Sequence, residues 1–294
     1  MEVWVAFTLL AVVMQGIRTA GQKKIVAFIS PMATTLVRYL FGLPVALIYL
    51  VYLLDGQLNT VTEVIANGDF ILYASMAAVA QILATFWLVK VLSFRNFAVG
   101  TTFAKTEALQ TALLGVLFFS AYLSVLGWLA VIIGMFGIVV ISLPNKGQAV
   151  QWQSIYYGCL SGIAFAFTSL WLREASLSLN VQLSLSAAFT LAYMVSLQTL
   201  LCFIYVYYKE RAELKKMLGQ LKLAVFVGVT SALGSIGWFT AMTYQNPAIV
   251  KSLGQIEIVI TLLITYLFFK EKISVKEYLG MFLIVASVVL LLWV

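Results

Sequence analysis

Two glutamates and two lysines lie deep inside the apolar stretches of this 294-residue sequence. Glu107 and Glu257 each fall near the middle of a long apolar run, with Lys105 in the first run and Lys251 in the second. In a bilayer, a charged side chain at the centre of a helix costs about 2.5–3.5 kcal/mol on insertion scales, so it usually faces a cavity or a partner. These four residues are therefore the first candidates for ligand binding or proton transfer.

The spacing of these residues argues against pairing within one helix. Lys105 and Glu107 are two positions apart, which is about 200° around a helix, so their side chains point to different faces. A partner on the other apolar run is more plausible for each. An i, i+4 spacing also relates Thr101 to Lys105 and Lys251 to Gln255, which predicts a polar stripe on each helix, facing away from the glutamate.

The chemistry that this set could perform is recognition of a small polar molecule. We expect Lys105, Lys251 and Gln255 to bind a carboxylate or another polar group of a substrate. Glu107 or Glu257 would balance a substrate ammonium group or exchange a proton. The alternative is a structural role, in which the glutamates only join neighbouring helices, because polar contacts between membrane helices contribute about 0.6 kcal/mol each.

The sequence lacks the residues that catalytic, metal-binding and ATP-hydrolysing sites require. The sequence has no histidine, which excludes histidine-based acid–base catalysis and histidine metal ligands. Its two cysteines, Cys159 and Cys202, lie in apolar stretches without metal-ligand spacing, and a Walker-type GxxxxGK(S/T) sequence is missing. The apolar runs also lack paired aspartates, so we expect neither an enzyme nor a cofactor or metal site.

The composition indicates the elements that position these residues. The chain is 63 % hydrophobic and 10 % charged, with a mean hydropathy of +1.04. A soluble domain is only about 45–50 % apolar. A spanning helix needs about 20 apolar residues, and this template predicts an all-α, polytopic membrane protein. Ten spans are expected, at residues 3–20, 31–54, 70–92, 97–119, 121–143, 154–172, 183–207, 223–243, 248–269 and 274–294.

Basic residues between the spans predict the orientation of the bundle. Fourteen of them lie in the odd-numbered connections, beginning with Arg18, Lys23 and Lys24. The even-numbered connections and the termini have at most two, Arg173 and Lys251. Both termini are thus predicted to face away from the cytoplasm. The net charge of +7 reflects this loop pattern, and no nucleic acid partner is expected.

The second half of the sequence repeats the first. Over the best-matching stretch the offset is 150 residues, which makes Glu107 and Glu257 equivalent, whereas the front parts match less clearly at an offset nearer 155. Five spans in each half is an odd number, so the two halves must have opposite orientation. Inverted repeats are the architecture of many secondary transporters, whose substrate site lies near the bilayer midplane.

Several short motifs resemble those of a known family. They are Gly16 in the first span, Arg38-Tyr39 and Leu43-Pro44 in the second, Asn246-Pro247-Ala248 at the start of the ninth, and Glu257 followed by Leu262-Leu263 and Leu267-Phe268-Phe269-Lys270-Glu271. On these residues the whole chain resembles the drug/metabolite transporter superfamily, EamA type. The resemblance implies ten helices in two five-helix repeats, residues 1–145 and 146–294, around a central cavity.

The resemblance also implies further cavity-lining residues. The chain differs from the family pattern in two respects. Gln15, Gln81, Trp87 and Trp238 are expected to line the cavity, and Arg38 either lines it or extends to the membrane surface. Gln15 replaces the aromatic residue usual at its position, which changes the polarity of the pathway. The familiar arrangement has cytoplasmic termini, in contrast to the loop charges of this chain.

These features predict a multi-pass secondary transporter of the plasma (inner) membrane, a monomer or weak dimer. We expect it to export small metabolites, amino acids or their analogues first, coupled to protons or to a counter-substrate. The alternatives are an importer of an organic cation such as choline, a carrier of a sugar or nucleotide conjugate, and a membrane interaction subunit that transports nothing. A phosphate-bearing substrate ranks lower, because it would need more buried basic groups than Lys105, Lys251 and Arg38.

Overall fold

The computed structural model describes residues 2–56, 59–94, 103–142, 152–260 and 274–291. Across these ranges the structure is helical, with short turns and no β-strand. The helices are α1 (Val3–Ile25), α2 (Pro31–Leu40), α3 (Leu43–Leu54), α4 (Asn59–Ala66), α5 (Gly68–Ser93), α6 (Glu107–Phe119), α7 (Val125–Ser142), α8 (Trp152–Leu177), α9 (Leu183–Lys209), α10 (Arg211–Gly219), α11 (Leu221–Tyr244), α12 (Pro247–Gly254) and α13 (Val275–Leu291).

The prediction of an all-helical membrane fold is confirmed. Six helical segments in the described ranges are long and apolar enough to cross a membrane. They are Val3–Ile25, Pro31–Leu54, Gly68–Ser93, Trp152–Leu177, Leu183–Lys209 and Leu221–Tyr244. The count of ten spans stays a prediction, because the expected fourth, fifth, ninth and tenth spans extend beyond the described residues.

Local signals in the sequence set where several helices begin. Ser30, Asn67 and Asn246 are N-caps whose side chains accept hydrogen bonds from backbone N–H groups of the first turn. Such a cap satisfies one of the N–H groups that a helix start leaves without an intrahelical partner. Asp55 and Gly56 end α3 in the left-handed region, with φ of 42° and 79°. These residues therefore set the starts of α2, α5 and α12 and the end of α3.

The second span is interrupted between α2 and α3. Pro44 lies in the first turn of α3, where its missing N–H costs no hydrogen bond. A Cβ on Gly42 would lie 2.7 Å from the carbonyl oxygen of Arg38 and 3.1 Å from that of Gly228. Glycine is therefore required here, since α2 and α11 approach each other backbone to backbone.

The fourth and ninth spans differ from the sequence expectation, because each is broken by a turn. Residues 103–104 are helical, Lys105 and Thr106 form a turn, and α6 then begins at Glu107. In the ninth span α12 ends at Gly254, Gln255 is the turn, and residues 256–260 resume the helix. Glu107 and Glu257 consequently lie just after a helix break and not within a continuous helix. Thr101 lies outside the described residues.

The charged connection after α9 is helical and packs against α2. It forms α10, and the side chains of Glu210 and Glu213 accept hydrogen bonds from the hydroxyl and backbone N–H of Ser30. Burial raises the pKa of Glu213, but hydrogen bonds from Lys216 and Ser30 outweigh it and hold that pKa below its ordinary value. The carboxylates thus fix α10 to the start of α2.

The two halves interlock through three helix pairs. α1 packs along α11, α5 along α8, and α7 along α13. With an offset of 150, α1 corresponds to α8 and α11 to α5, so the first two pairs are equivalent to each other. α7 corresponds to α13, and this pair lies on the axis that relates the halves.

An equivalent contact stabilises the end of a helix in each half. Lys23 donates to the carbonyl oxygen of Leu92 at 2.5 Å, and Arg173 donates to that of Met242 at 2.6 Å. Both residues of the second contact are 150 positions after those of the first. The offset of 150 therefore also holds in the front parts of the halves, where the sequence alone suggested about 155. A basic side chain near the last carbonyls of a helix is favourable there.

Candidate functional site

Two ion pairs join the broken fourth and ninth spans. Lys251 Nζ lies 2.8 Å from Glu107 Oε1, and Lys105 Nζ lies 3.1 Å from Glu257 Oε2. Each lysine pairs with the glutamate of the opposite half, as the angular argument predicted. Only the glutamates correspond in the repeat, since at the offset of 150 Lys105 matches Gln255 and Lys251 matches Thr101.

The helix breaks place these charges at helix ends. Glu107 lies in the first turn of α6, where the helix dipole is positive and favours a carboxylate. Lys251 lies in the last turn of α12, where the dipole is negative and favours a cation. The break supplies this electrostatic support, which an uninterrupted helix would not provide at its centre.

A chain of polar contacts continues from Glu257 into the first helix. Gln15 Nε2 donates to Glu257 Oε2 at 2.9 Å, and Trp238 Nε1 donates to Gln15 Oε1 at 3.0 Å. The ring of Trp238 also lies under Lys251, with Nζ 4.4 Å from the ring centroid, which is a cation–π contact. Gln15 and Trp238 therefore connect the two ion pairs.

Three small cavities surround this network, and we call them the central cavities. Their volumes are about 30, 80 and 30 Å³. A water molecule occupies about 30 Å³ in the liquid, so each cavity has room for one to a few waters. Their lining includes Gln15, Arg18, Arg38, Gln81, Lys105, Glu107, Trp238, Lys251, Gln255 and Glu257.

Nine of the ten residues proposed from the sequence line the central cavities. Gln81 is among them, and its Oε1 accepts a hydrogen bond from Gln198 Nε2 at 2.8 Å. Gln255 is 5 % exposed, and within the described part of the chain neither of its amide atoms has a hydrogen-bond partner.

Trp87 is the exception and does not face the central cavities. It lines a separate groove of about 570 Å³ between α5 and α8, together with Trp171. The side chains of that groove are almost all apolar, and Met76, Val79 and Leu83 along it are exposed on the protein surface. The groove is therefore a feature of the outer, apolar face of the bundle.

Arg18 is a cavity residue that the sequence reading placed wrongly in the first connection. Arg18 lies within the predicted span 3–20, near its end, and was counted as a charge of the connection. α1 in fact continues to Ile25, and the side chain of Arg18 is only 3 % exposed. A signal for this position exists in the sequence. Gln15, Arg18 and Gln22 are three and four residues apart, which places three polar side chains on one face of the helix.

Arg38 is also buried, with 5 % of its surface exposed, and it does not extend to the outside of the protein. Its Nη1 donates to Thr85 Oγ1 at 2.6 Å, and the hydroxyl of Tyr39 donates to the backbone oxygen of Gln81. These contacts hold both residues of the Arg38-Tyr39 motif against α5.

Comparisons with known proteins give a family match and a similar fold. The model of a family described as the EamA-like transporter family matches twice, at residues 2–143 and 152–293. A solved structure titled "Crystal structure of protein" is similar in fold, with a TM-score of 0.69 and 13 % identity. That similarity covers 98 % of this chain and 95 % of the other. No curated protein matches the chain significantly.

Proposed function

The chain belongs to the EamA-like transporter family, with two copies of the family's repeat, and on that premise we propose that it is a secondary active transporter. Its substrates would be small metabolites, amino acids and their analogues first, and export would be the working direction. The two halves, residues 1–145 and 146–294, would have inverted topology and rock around the central cavities. Because the family is one of transporters, we propose no catalytic role.

The crossed ion pairs carry this proposal. Charged groups inside a membrane protein are costly, and they are typically found on substrate or ion pathways. Interrupted helices whose ends face the site are a further feature of secondary transporters. Here Lys105–Glu257 and Lys251–Glu107 both lie at such interruptions, and both join one half to the other.

The size of the central cavities supports alternating access. Sites for drug-sized ligands have volumes of about 300–1,000 Å³. The central cavities are about 30 to 80 Å³, so a metabolite enters only when the halves move apart. Such a movement must stretch or break ion pairs that join the halves, and this would link substrate entry to their protonation or exchange.

The coupling reaction would use a carboxylate. The sequence contains no histidine, so a proton that moves with the substrate needs another carrier near neutral pH. Glu107 and Glu257 are the acidic groups that line the central cavities among the described residues. Exchange against a counter-substrate would need no proton, and the same pairs would then open for either molecule.

The test is counterflow of labelled metabolites in proteoliposomes. The panel would contain amino acids, small carboxylates and choline, with and without a pH gradient. We expect labelled uptake of at least one amino acid or analogue in the wild type. In the variant E257Q we expect the rate of counterflow to fall by about tenfold or more, which corresponds to about 1.4 kcal/mol.

The matched control is E63Q, which removes a carboxylate from the exposed surface of α4 and should leave counterflow unchanged. Folded wild-type protein without counterflow of any metabolite in the panel would contradict the transporter proposal. Full activity of folded E257Q would contradict the role of that carboxylate.

A further inference from the structure

Two arginines line the same central cavity from two successive helices of the chain. Arg18 comes from α1 and Arg38 from α2, and both face the cavity of about 30 Å³ that also contacts Gln15, Gln81 and Lys251. They are 3 % and 5 % exposed. Two guanidinium groups are therefore withdrawn into the interior of the bundle.

Neither arginine forms an ion pair among the described residues, although the charges of Glu257 and Glu107 act on Arg18 from further away. Arg38 Nη1 donates to the hydroxyl of Thr85, which is a neutral acceptor, and Arg18 Nε has no hydrogen-bond partner in the described part of the chain. The carboxylates that line the central cavities are already engaged by Lys105 and Lys251. A buried charge without a partner is strongly unfavourable, so this arrangement points to a partner that comes from outside the chain.

The charge of the lining leads to the same conclusion. Among the described residues around the central cavities, four basic side chains face two carboxylates. The basic side chains are Arg18, Arg38, Lys105 and Lys251, and the acidic ones are Glu107 and Glu257. Because the lysines and glutamates neutralise each other, the excess positive charge belongs to the arginines.

The arginines also depart from the internal repeat. At the offset of 150 residues, Arg18 corresponds to Thr168 and Arg38 to Ala188, neither of which is charged. Arg173 is not the counterpart of Arg18, since it makes the helix-end contact that Lys23 makes in the first half. The helix breaks and the glutamates Glu107 and Glu257 occur in both halves. The arginines, like Lys105 and Lys251, have no charged counterpart at the offset of 150 and belong to one half each.

We infer that Arg18 and Arg38 bind an oxyanion group of the transported metabolite, a carboxylate or a phosphate. This inference rests on the proposed function and assigns its substrate class as organic anions, or zwitterions held by their acidic group. The guanidinium fork matches both groups with two parallel hydrogen bonds. Lys105 and Lys251, which the sequence suggested for the carboxylate, are instead engaged with the glutamates.

The binding test uses thermal unfolding of the full-length protein in detergent. The probes are succinate, inorganic phosphate, choline and glycerol at equal ionic strength. We expect succinate or phosphate to raise the Tm by about 2 °C or more, and choline and glycerol to leave it unchanged. The stronger of the two anions would identify the group that the site accepts.

The variants R18Q and R38Q should bind the anion that stabilises the wild type about tenfold more weakly. A hydrogen bond to a charged group contributes on the order of a factor of ten to binding. R18K and R38K keep the positive charge but lose the two parallel donors of the guanidinium group. They replace the glutamine variants if those fail to fold, and we expect them to lose an intermediate share of the anion affinity. The control is K209Q, which removes a positive charge from an exposed position at the end of α9 and should keep the full shift.

The outcomes separate this inference from the proposed function. An anion shift that depends on the arginines, without counterflow of that anion, would support the site and contradict transport. Counterflow of choline that persists in R18Q and R38Q would support transport and overturn the site. Folded R18Q and R38Q proteins with the wild-type anion shift, or no shift by either anion in the wild type, would also overturn it.

Discussion

At the scale of single residues, the two ion pairs differ in how deeply they are buried. The side chains of Lys251 and Glu107 are 8 % and 18 % exposed, whereas those of Lys105 and Glu257 are 33 % and 13 % exposed. Removing one partner of a buried pair leaves an uncompensated charge, and the cost of that charge grows with burial. The Lys251–Glu107 pair should therefore depend more strongly on the presence of both partners.

A double-mutant cycle tests this difference. We expect K251Q and E107Q each to lower the stability by about 3 kcal/mol, because each leaves its partner buried without a counter-charge. The double variant K251Q/E107Q should lose less than the sum of the two, and thermal unfolding of purified protein would show it. The same cycle on Lys105 and Glu257 should give a smaller coupling. Additive losses at both pairs would contradict this interpretation.

The sequence predicted the pairing of these residues but not their full surroundings. Two positions on a helix are about 200° apart, and this alone directed Lys105 to a partner on another helix. Arg18 was missed because it lies near the end of the predicted span 3–20, where it was counted as a loop charge. Trp87 was expected at the central cavity from the resemblance, which does not determine the face of α5 that it occupies.

At the scale of helices, the breaks in the fourth and ninth spans could not be read from the sequence. A mean hydropathy taken over a window stays high across Lys105 and across Gln255, and no proline marks either position. Gly254 precedes the second break, but Ala104 occupies the equivalent place at the first. The breaks coincide with ion pairs to the other half of the chain, and a local sequence pattern does not contain such contacts.

Close approach between helices depends on particular glycines. A Cβ on Gly237 would lie 2.6 Å from the carbonyl oxygen of Phe7 and 2.8 Å from the backbone nitrogen of Ala11. These atoms belong to the backbone of α1 and cannot move aside on their own. By contrast, a Cβ on Gly16 would meet nothing within 4 Å.

We therefore expect G237A to separate α1 from α11 and to lower the stability by about 1–3 kcal/mol, as overpacking does in protein cores. The variant G16A is the matched control and should leave the Tm unchanged or raise it, because alanine favours a helix over glycine. Thermal unfolding of both variants would decide this. Equal stability of G237A and wild type would show that α1 and α11 are not packed so closely.

At the scale of the whole molecule, the repeat organises both the packing and the site. The pairs α1–α11 and α5–α8 are equivalent, and the helix-end contacts of Lys23 and Arg173 obey the same offset. The repeat and the apolar runs could be predicted because they are properties of the sequence itself. The interlocking of the halves could not, because it depends on which apolar faces find each other.

The orientation of the whole bundle in the membrane is predicted from the distribution of basic residues among its connections. Removing Arg18 from the first connection leaves the excess of basic residues in the odd-numbered connections intact. We expect a reporter fused after Val294 to be active only when it requires a location outside the cytoplasm. A fusion before Met1 should behave the same way, because an even number of spans puts both ends on one side. Activity of a cytoplasm-only reporter would contradict the predicted orientation.

The composition of the central network has a consequence for membrane voltage. Each lysine–glutamate pair is electrically neutral, so moving it through the field does no net electrical work. A single elementary charge, in contrast, is worth about 2.3 kcal/mol per 100 mV. Arg18 and Arg38 are the charges without such compensation among the described lining residues. An anionic cargo that neutralises them would make the loaded carrier far less sensitive to voltage than the empty one.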